Sequence, residues 1–143
     1  MLRNATAAVA ALGLTLLAGS ALAADLTPTQ IIQRHMDFAG KGDVDSVVGD
    51  YADDAVVIVN GQATQGKAEI KTMFQRMMGG GAGGAGAPAI KPVKVSEVGD
   101  TGLVSWESNG GAVKGTDAFV VKHGKIQVQA VWMNGGPPAP PKS

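Results

Sequence analysis

Residues 42–56 read GDVDSVVGDYADDAV, and this stretch decides the fold. Asp43 has a side chain suited to capping a helix, and apolar residues follow it at helical spacing. That stripe consists of Val44, Val47, Val48 and Tyr51. The pattern predicts a short amphipathic helix that ends at Asp53-Asp54, with the β-branched run of residues 55–59 as a strand directly after it.

Upstream of this stretch, the sequence predicts a first, longer helix. Thr27 can cap it, Pro28 suits its first position, and Gln30 stands where a capping box requires Glu or Gln. The side chains that recur on one face before the stop at residues 40–42 are Ile31, Ile32, His35, Met36, Phe38 and Ala39. One histidine is therefore expected on an otherwise apolar helix face.

Downstream of the stretch, the strand at residues 55–59 is expected to turn at Asn60-Gly61 into a short strand at residues 62–65. Gly66 then opens a third helix. The apolar stripe of that helix consists of Ile70, Met73, Phe74 and Met77.

The second half of the chain is rich in strands. They are predicted at residues 90–98, 103–108, 113–122 and 126–133, separated by glycine-containing turns. Several carry apolar residues on both faces, such as Phe119 and Val120, which predicts helices on one side and another covering, such as a partner subunit, on the other. Helices followed by strands predict an α+β fold, a curved antiparallel sheet wrapped on three N-terminal helices within residues 24–134.

Two segments lack a pattern that predicts packing. Residues 79–88 are almost entirely glycine and alanine, which predicts a flexible loop. They follow a helix where a dinucleotide-binding glycine motif would follow a strand, so a nucleotide site is not expected there. Residues 135–143 are rich in proline and predict an extended tail.

The first 23 residues have the form of a secretory signal peptide. Arg3 gives a positive start, residues 5–18 are almost wholly apolar, and residues 21–23 read Ala-Leu-Ala, the small-x-small form that signal peptidase cleaves. The apolar run is shorter than the roughly 20 residues that span a bilayer. We therefore expect cleavage after Ala23 and export to the periplasm or the medium.

Composition excludes several kinds of site. The chain has 12 basic and 12 acidic residues, so its charge gives no reason to expect nucleic acid or a membrane surface as a partner. It has no cysteine, which excludes disulfides and thiolate metal sites. Its two histidines are not accompanied by clustered acids, so we expect no metal and no cofactor.

Residues 42–56 resemble the "GD(I/V)…YADDA" segment of the nuclear transport factor 2-like superfamily, which includes SnoaL-like cyclases and ketosteroid isomerase. Residues 66–70 (GKAEI), residues 122–126 (KHGKI) and Trp132 fit the same pattern. The resemblance covers residues 27–134. It implies a cone-shaped domain with a pocket in its mouth, and a homodimer formed through the outer face of the sheet.

The resemblance also assigns residues to the chemistry of ketosteroid isomerase, which needs a carboxylate base, a tyrosine and a protonated aspartic acid. The base position falls at Val59, or at Asn60 if the alignment slips by one residue, and neither side chain can accept a proton. The tyrosine position falls at His35, and the aspartic acid position at Asp117. The missing base leaves open whether this protein is an enzyme.

Three functions remain as hypotheses. The first is an exported, dimeric domain that binds a small hydrophobic molecule in an apolar pocket, with pocket residues Val59, Met73, Phe119 and Trp132. The second is an acid–base enzyme of the isomerase or cyclase type that uses His35 and Asp117, which requires hydrogen-bond reach between them. The third is a dimerisation or assembly module without a ligand, because this fold serves all three purposes.

Overall fold

The computed structural model describes residues 25–78 and 89–134. The predicted signal peptide (1–23), the glycine-rich loop (79–88) and the proline-rich tail (135–143) lie outside the described residues. In the part that is described, no helix has the length and apolar character needed to cross a membrane.

The described chain forms three α-helices, six strands and one 3₁₀ turn. The helices are α1 (Pro28–Gly40), α2 (Val44–Gly49) and α3 (Lys67–Met77). The strands are β1 (Tyr51–Val59), β2 (Gln62–Gln65), β3 (Lys91–Val98), β4 (Thr101–Ser108), β5 (Val113–Lys122) and β6 (Lys125–Met133). The 3₁₀ turn (Asn109–Gly111) joins β4 to β5.

All six strands form one curved, unclosed sheet in the order β2-β1-β6-β5-β4-β3. The predicted α+β class, with a sheet wrapped on three helices, is confirmed. One pairing differs from the predicted antiparallel sheet: β1 runs parallel to β6, so the sheet is mixed. A parallel pair joins strands that are far apart in sequence, so no hairpin turn motif indicates this pairing in the sequence.

Helix α1 lies against the concave face of the sheet. Its start is fixed by the predicted capping box, because the Thr27 side chain accepts from the Gln30 backbone N–H while the Gln30 side chain accepts from the Thr27 backbone N–H. The helix approaches β4 closely at Gly102, where a Cβ would overlap the side chain of Ile32. The absence of a side chain there lets α1 sit directly on the sheet.

The boundary between α2 and β1 differs from the prediction. Helix α2 ends at Gly49, Asp50 is its C-cap, and Tyr51 is the first residue of β1 and pairs with Ile126. Tyr51 therefore belongs to the strand and not to the helical stripe. Both assignments bury Tyr51. An apolar residue that continues the stripe of a short helix can equally be the first inward-facing residue of the strand that follows.

Candidate functional site

The strand register places one carboxylic acid in an apolar row on the inner face of the sheet. Val59 pairs with Val131, Val131 with Asp117, and Asp117 with Val104. Asp117 is only 4% exposed, so its carboxyl group is separated from water. A buried acid among valines is the most unusual feature of this face, because buried polar groups are destabilising unless they are hydrogen-bonded.

Both carboxyl oxygens of Asp117 are held by side chains. The indole Nε1–H of Trp106 donates to Oδ1, and the Gln129 amide donates to Oδ2, both at 2.7 Å. Burial raises the pKa of the Asp117 carboxyl, while the two hydrogen bonds and the charge of His35 act in the opposite direction. The result is a fixed carboxyl group that holds its proton more tightly than an exposed aspartic acid does.

Trp106 reaches Asp117 because the facing residue on β5 is a glycine. Trp106 pairs with Gly115 in the β4–β5 register, and a Cβ at Gly115 would overlap the indole ring. The indole ring therefore lies over Gly115, and Trp106 is only 7% exposed. A close approach of this kind explains why glycine occupies the middle of a strand, where it otherwise weakens the sheet.

The hydrogen bonds continue from Gln129 to helix α1. The Tyr51 hydroxyl donates to the Gln129 carbonyl oxygen, and the same hydroxyl lies 3.4 Å from Nε2 of His35. The His35 ring also meets the Tyr51 and Phe119 rings edge-on, with ring centroids 5.4 and 5.6 Å apart. Burial, followed by the charges of Asp117 and Asp50, raises the pKa of Tyr51 well above its ordinary value. Tyr51 therefore serves as a neutral hydrogen-bonding group.

At its other end, the chain of polar groups meets an ion pair. Asp50 Oδ2 lies 3.5 Å from His35 Nδ1, and Asp50 Oδ1 lies 2.5 Å from Arg34 Nη2. Asp50 is buried, whereas the Arg34 side chain is partly exposed. We call the connected residues the polar chain: Arg34, Asp50, His35, Tyr51, Gln129, Asp117 and Trp106.

Comparison with known proteins agrees with this architecture. The family model described as a SnoaL-like domain matches residues 32–129, which is more than half of the chain. The chain belongs to the SnoaL-like family. No curated protein matches its sequence.

Solved structures similar to this SnoaL-like domain carry several functional names. A proposed polyketide cyclase from Sinorhizobium meliloti is 26% identical, with a TM-score of 0.58, over 71% of this chain and 92% of that one. A proposed ketosteroid isomerase from Kribbella flavida is 14% identical, with a TM-score of 0.62, over 78% and 81%. An NTF2-like protein of unknown function from Burkholderia xenovorans is 15% identical, with a TM-score of 0.61, over 78% and 86%. The last two likenesses show the fold alone.

The structure brings three of the six predicted site residues of this SnoaL-like domain together, namely His35, Asp117 and Phe119. His35 and Asp117 both belong to the polar chain, but they are joined through Tyr51 and Gln129, without the direct hydrogen bond that the enzyme hypothesis required. Phe119 is buried one row from Asp117 and pairs with Gln129. The predicted histidine–aspartate pair therefore exists as an indirect link.

The remaining predicted pocket residues lie at different places. Val59 is half-buried in the row of Asp117, and Met73 is half-buried on α3, packed against the core. Trp132 pairs with Thr116, the neighbour of Asp117, and therefore points to the outer face, where it is 59% exposed. The structure separates Trp132 from the other predicted pocket residues, and the tryptophan beside Asp117 is Trp106.

No group of three or more histidine and acidic side chains in residues 25–78 and 89–134 is arranged to hold a metal ion. A groove of about 480 Å³ lies away from Asp117, at the far end of β5. Its lining comes from the start of the described chain and from the turns after β3 and β5, including Asp25, Glu97, Asp100, Lys122 and His123.

Of the polar chain, only His35 and Asp117 were predicted as site residues from the sequence. Asp50 was part of the family motif without an assigned role, Tyr51 was assigned to the core, and Gln129 was not singled out. Only the strand register reveals that Gln129 lies between Tyr51 and Asp117. The one signal available in the sequence was Gln129 itself, one of two glutamines in the otherwise apolar run at residues 126–133.

Proposed function

We propose that this SnoaL-like domain binds a small, mainly apolar molecule on the concave face of its sheet, with Asp117 as the polar contact. The observation that carries the proposal is the single carboxyl group in the row formed with Val59, Val131 and Val104. Ligand sites are commonly apolar concave surfaces with a few fixed polar groups. A carboxyl group with a raised pKa can donate a hydrogen bond, which favours a ligand that carries a carbonyl or hydroxyl oxygen.

Half-buried apolar side chains at the end of the sheet nearest to Asp117 support a ligand site there. Val59, Val113 and Met133 lie at the ends of β1, β5 and β6, and all three are half-buried and pack against the core. Apolar side chains that are not fully covered leave surface for a ligand to bury. Deeper in the cone, Tyr51 and Phe119 are completely buried, so the ligand would contact the row of Asp117 and not the rows below it.

Native mass spectrometry of mature protein, purified gently from its own host, tests the proposal. We expect the wild type to carry a small apolar adduct, and Asp117→Ala, which has no hydrogen-bonding side chain, to lose most of it. Asp53→Ala is the matched control, because the Asp53 side chain is 96% exposed and lies outside the polar chain. An adduct that is equal in wild type and Asp117→Ala, or absent from the wild type, would contradict the proposal.

An acid–base enzyme is the second candidate, because the polar chain connects His35 with Asp117. With Val59 at the base position, Asp117 would be the group that exchanges a proton with substrate, and His35 would act through Tyr51 and Gln129. On a panel of carbonyl substrates, we expect His35→Ala to lower turnover at least tenfold. His123→Ala is the control, since the His123 side chain is 93% exposed, and unchanged turnover in His35→Ala would exclude this mechanism.

Export is a separate proposal that depends on residues 1–23. We expect the mature protein to begin at Ala24 and to be recovered from the periplasm or the medium of its host. N-terminal sequencing of the purified protein measures this directly. A chain that retains Met1 and stays with the cytoplasmic fraction would contradict it.

A further inference from the structure

The polar chain contains one imidazole, His35, and one buried carboxyl group on the sheet, Asp117. Between them lie Tyr51, which has one hydroxyl proton, and Gln129, whose amide has a donor end and an acceptor end. The four side chains are at most 4% exposed, so water cannot readily replace a missing hydrogen bond. Their donors and acceptors must therefore match along the whole chain.

The observed arrangement fixes the direction of every hydrogen bond. Gln129 donates to Asp117, so its carbonyl oxygen faces Tyr51 and accepts the hydroxyl proton. The Tyr51 oxygen then has only lone pairs to offer to His35 Nε2, which must carry a proton. His35 Nδ1 lies 3.5 Å from Asp50 Oδ2, and neither atom has a hydrogen-bond partner among the described residues, so we assign the second ring proton to Nδ1, where it faces the carboxylate. This arrangement contains a doubly protonated His35 and an ionised Asp117.

A second arrangement satisfies the same groups with every hydrogen bond between His35 and Asp117 reversed. A protonated Asp117 donates to the carbonyl oxygen of Gln129, whose amide has turned by a half rotation. The Gln129 amide then donates to the Tyr51 oxygen, and the Tyr51 hydroxyl donates to an unprotonated Nε2 of His35. Trp106 continues to donate to the other oxygen of Asp117, and His35 Nδ1–H continues to face Asp50.

The two arrangements have the same total charge, because one proton has left His35 Nε2 and one proton has been added to Asp117 Oδ2. The other combinations are unfavourable. If His35 is neutral and Asp117 is ionised, the lone pair of His35 Nε2 faces the lone pairs of the Tyr51 oxygen. If both are protonated, the Asp117 hydroxyl faces the NH₂ group of the Gln129 amide, and both are donors. Either mismatch leaves buried polar groups unsatisfied and changes the buried charge.

We propose that His35 and Asp117 share one proton, so that Asp117 is protonated when His35 is neutral and ionised when His35 is charged. The Gln129 amide cannot relay a proton between the two side chains. When the amide turns, His35 therefore releases its proton to solvent or to a bound molecule, and Asp117 takes one up from the same source, or the reverse. The charged or titratable groups that face this pair are Arg34 and Asp50 at the His35 end and Tyr51 in the middle. The other side chains packed on the pair, Phe74, Phe119 and Trp106, are uncharged.

Asp117 is also the polar contact of the proposed ligand site, but its sharing of a proton with His35 does not require a ligand. The exchange reverses the hydrogen bond between Asp117 and Gln129 without a change in the total charge of the buried site. A ligand that donates a hydrogen bond to Asp117 would favour the arrangement with ionised Asp117, because the protonated carboxyl group has given its one proton to Gln129.

Nuclear magnetic resonance of the ligand-free wild type tests the inference. The ¹⁵N shifts of the His35 ring give its protonated fraction, and the ¹³C shift of the Asp117 carboxyl group gives the other fraction, with exposed His123 as an internal reference. We expect the two protonated fractions to add up to one throughout the neutral pH range. A sum near zero or near two would overturn the proposal, and this measurement needs no variant.

Asp117→Asn provides a second, independent test. An asparagine can accept from Trp106 and donate to Gln129, as a protonated aspartic acid does, so we expect His35 to be neutral and protonated at Nδ1 alone. Asp53→Asn, the exposed control, leaves the wild-type state of His35 unchanged. A doubly protonated His35 in folded Asp117→Asn would overturn the proposal. Loss of the adduct is read in a different variant, Asp117→Ala, so the two proposals can fail independently.

Discussion

At the scale of single residues, the protonation of Asp117 makes a testable contribution to stability. Because its pKa is raised in the folded protein, the folded state holds a proton above pH 3.8 that the unfolded state has released. The free energy of unfolding then falls as pH rises through this window, because the unfolded state binds fewer protons than the folded state. The contribution of Asp117 is greatest at acidic pH and is lost as pH rises through the folded-state pKa.

We therefore expect the free energy of unfolding of the wild type, minus that of Asp117→Asn, to fall as pH rises from about 4 towards neutral. Within the window between the two pKa values, the fall is about 1.4 kcal/mol per pH unit. Urea unfolding of both proteins at a series of pH values measures this difference. A difference that is constant with pH, or that grows as pH rises, would show that Asp117 is not protonated more readily in the folded state.

Gly115 is the second residue whose role can be isolated. Gly115→Ala introduces a methyl group into the volume of the Trp106 ring, so the indole must move and its hydrogen bond to Asp117 is lost. We expect a loss of about 1–3 kcal/mol in the free energy of unfolding, together with a change in tryptophan fluorescence. Gly49→Ala in α2 is the control: a Cβ there meets nothing within 4 Å, and alanine favours a helix. Equal effects of the two substitutions would contradict this account.

At the scale of elements, what could be predicted was what the sequence marks locally. Helix α1 has its capping box, and β4, β5 and β6 are separated by glycine turns, so these elements were predicted within a few residues. The parallel pairing of β1 with β6 depends on strands at opposite ends of the domain and has no local signal. The same reason hid part of the role of Gln129, because its partner Tyr51 lies on β1.

His35 and Asp117 were found because the resemblance placed them, and His35 also interrupted an apolar stripe. The path between them could not be predicted, since it needs three-dimensional distances. Asp50 illustrates the limit: as the C-cap of α2 it has an ordinary structural role, and only its position 3.5 Å from His35 Nδ1 indicates a second one.

The start of α1 gives a prediction at this scale. Thr27→Ala removes the side-chain oxygen that accepts from Gln30 N–H at 3.3 Å, and we expect a loss of about 1 kcal/mol in the free energy of unfolding. Thr72→Ala in α3 is a matched control, because the Thr72 hydroxyl donates to the carbonyl of Ala68 inside the helix and alanine is the better helix former. Thermal unfolding compares the two. A Thr27→Ala protein as stable as the wild type would show that the capping box does not hold this end.

At the scale of the whole molecule, the two faces of the sheet have separate chemistry. The inner face holds the polar chain and most of the core, whereas the outer face presents Leu103, 41% exposed, and Trp132, 59% exposed. Between them in the register lie further apolar residues that are only half-buried, namely Ile58, Ala118, Val120, Val128 and Ala130. We call this set, with Leu103 and Trp132, the outer patch. It has no charged side chain, and exposed apolar patches of this kind commonly mark interaction sites.

We propose that a second copy of this chain covers the outer patch, because a continuous uncharged surface on one side of the sheet can match itself across a two-fold axis. Leu103→Lys and Trp132→Lys each place a charge in the patch, and we expect either to convert a dimer to a monomer. Val93→Lys is the control: Val93 is 64% exposed but lies on edge strand β3, at the irregularity in its pairing with β4. Sedimentation velocity measures the subunit number. A wild type that is monomeric, or a dimer that persists in both patch variants, would assign the outer patch to another partner.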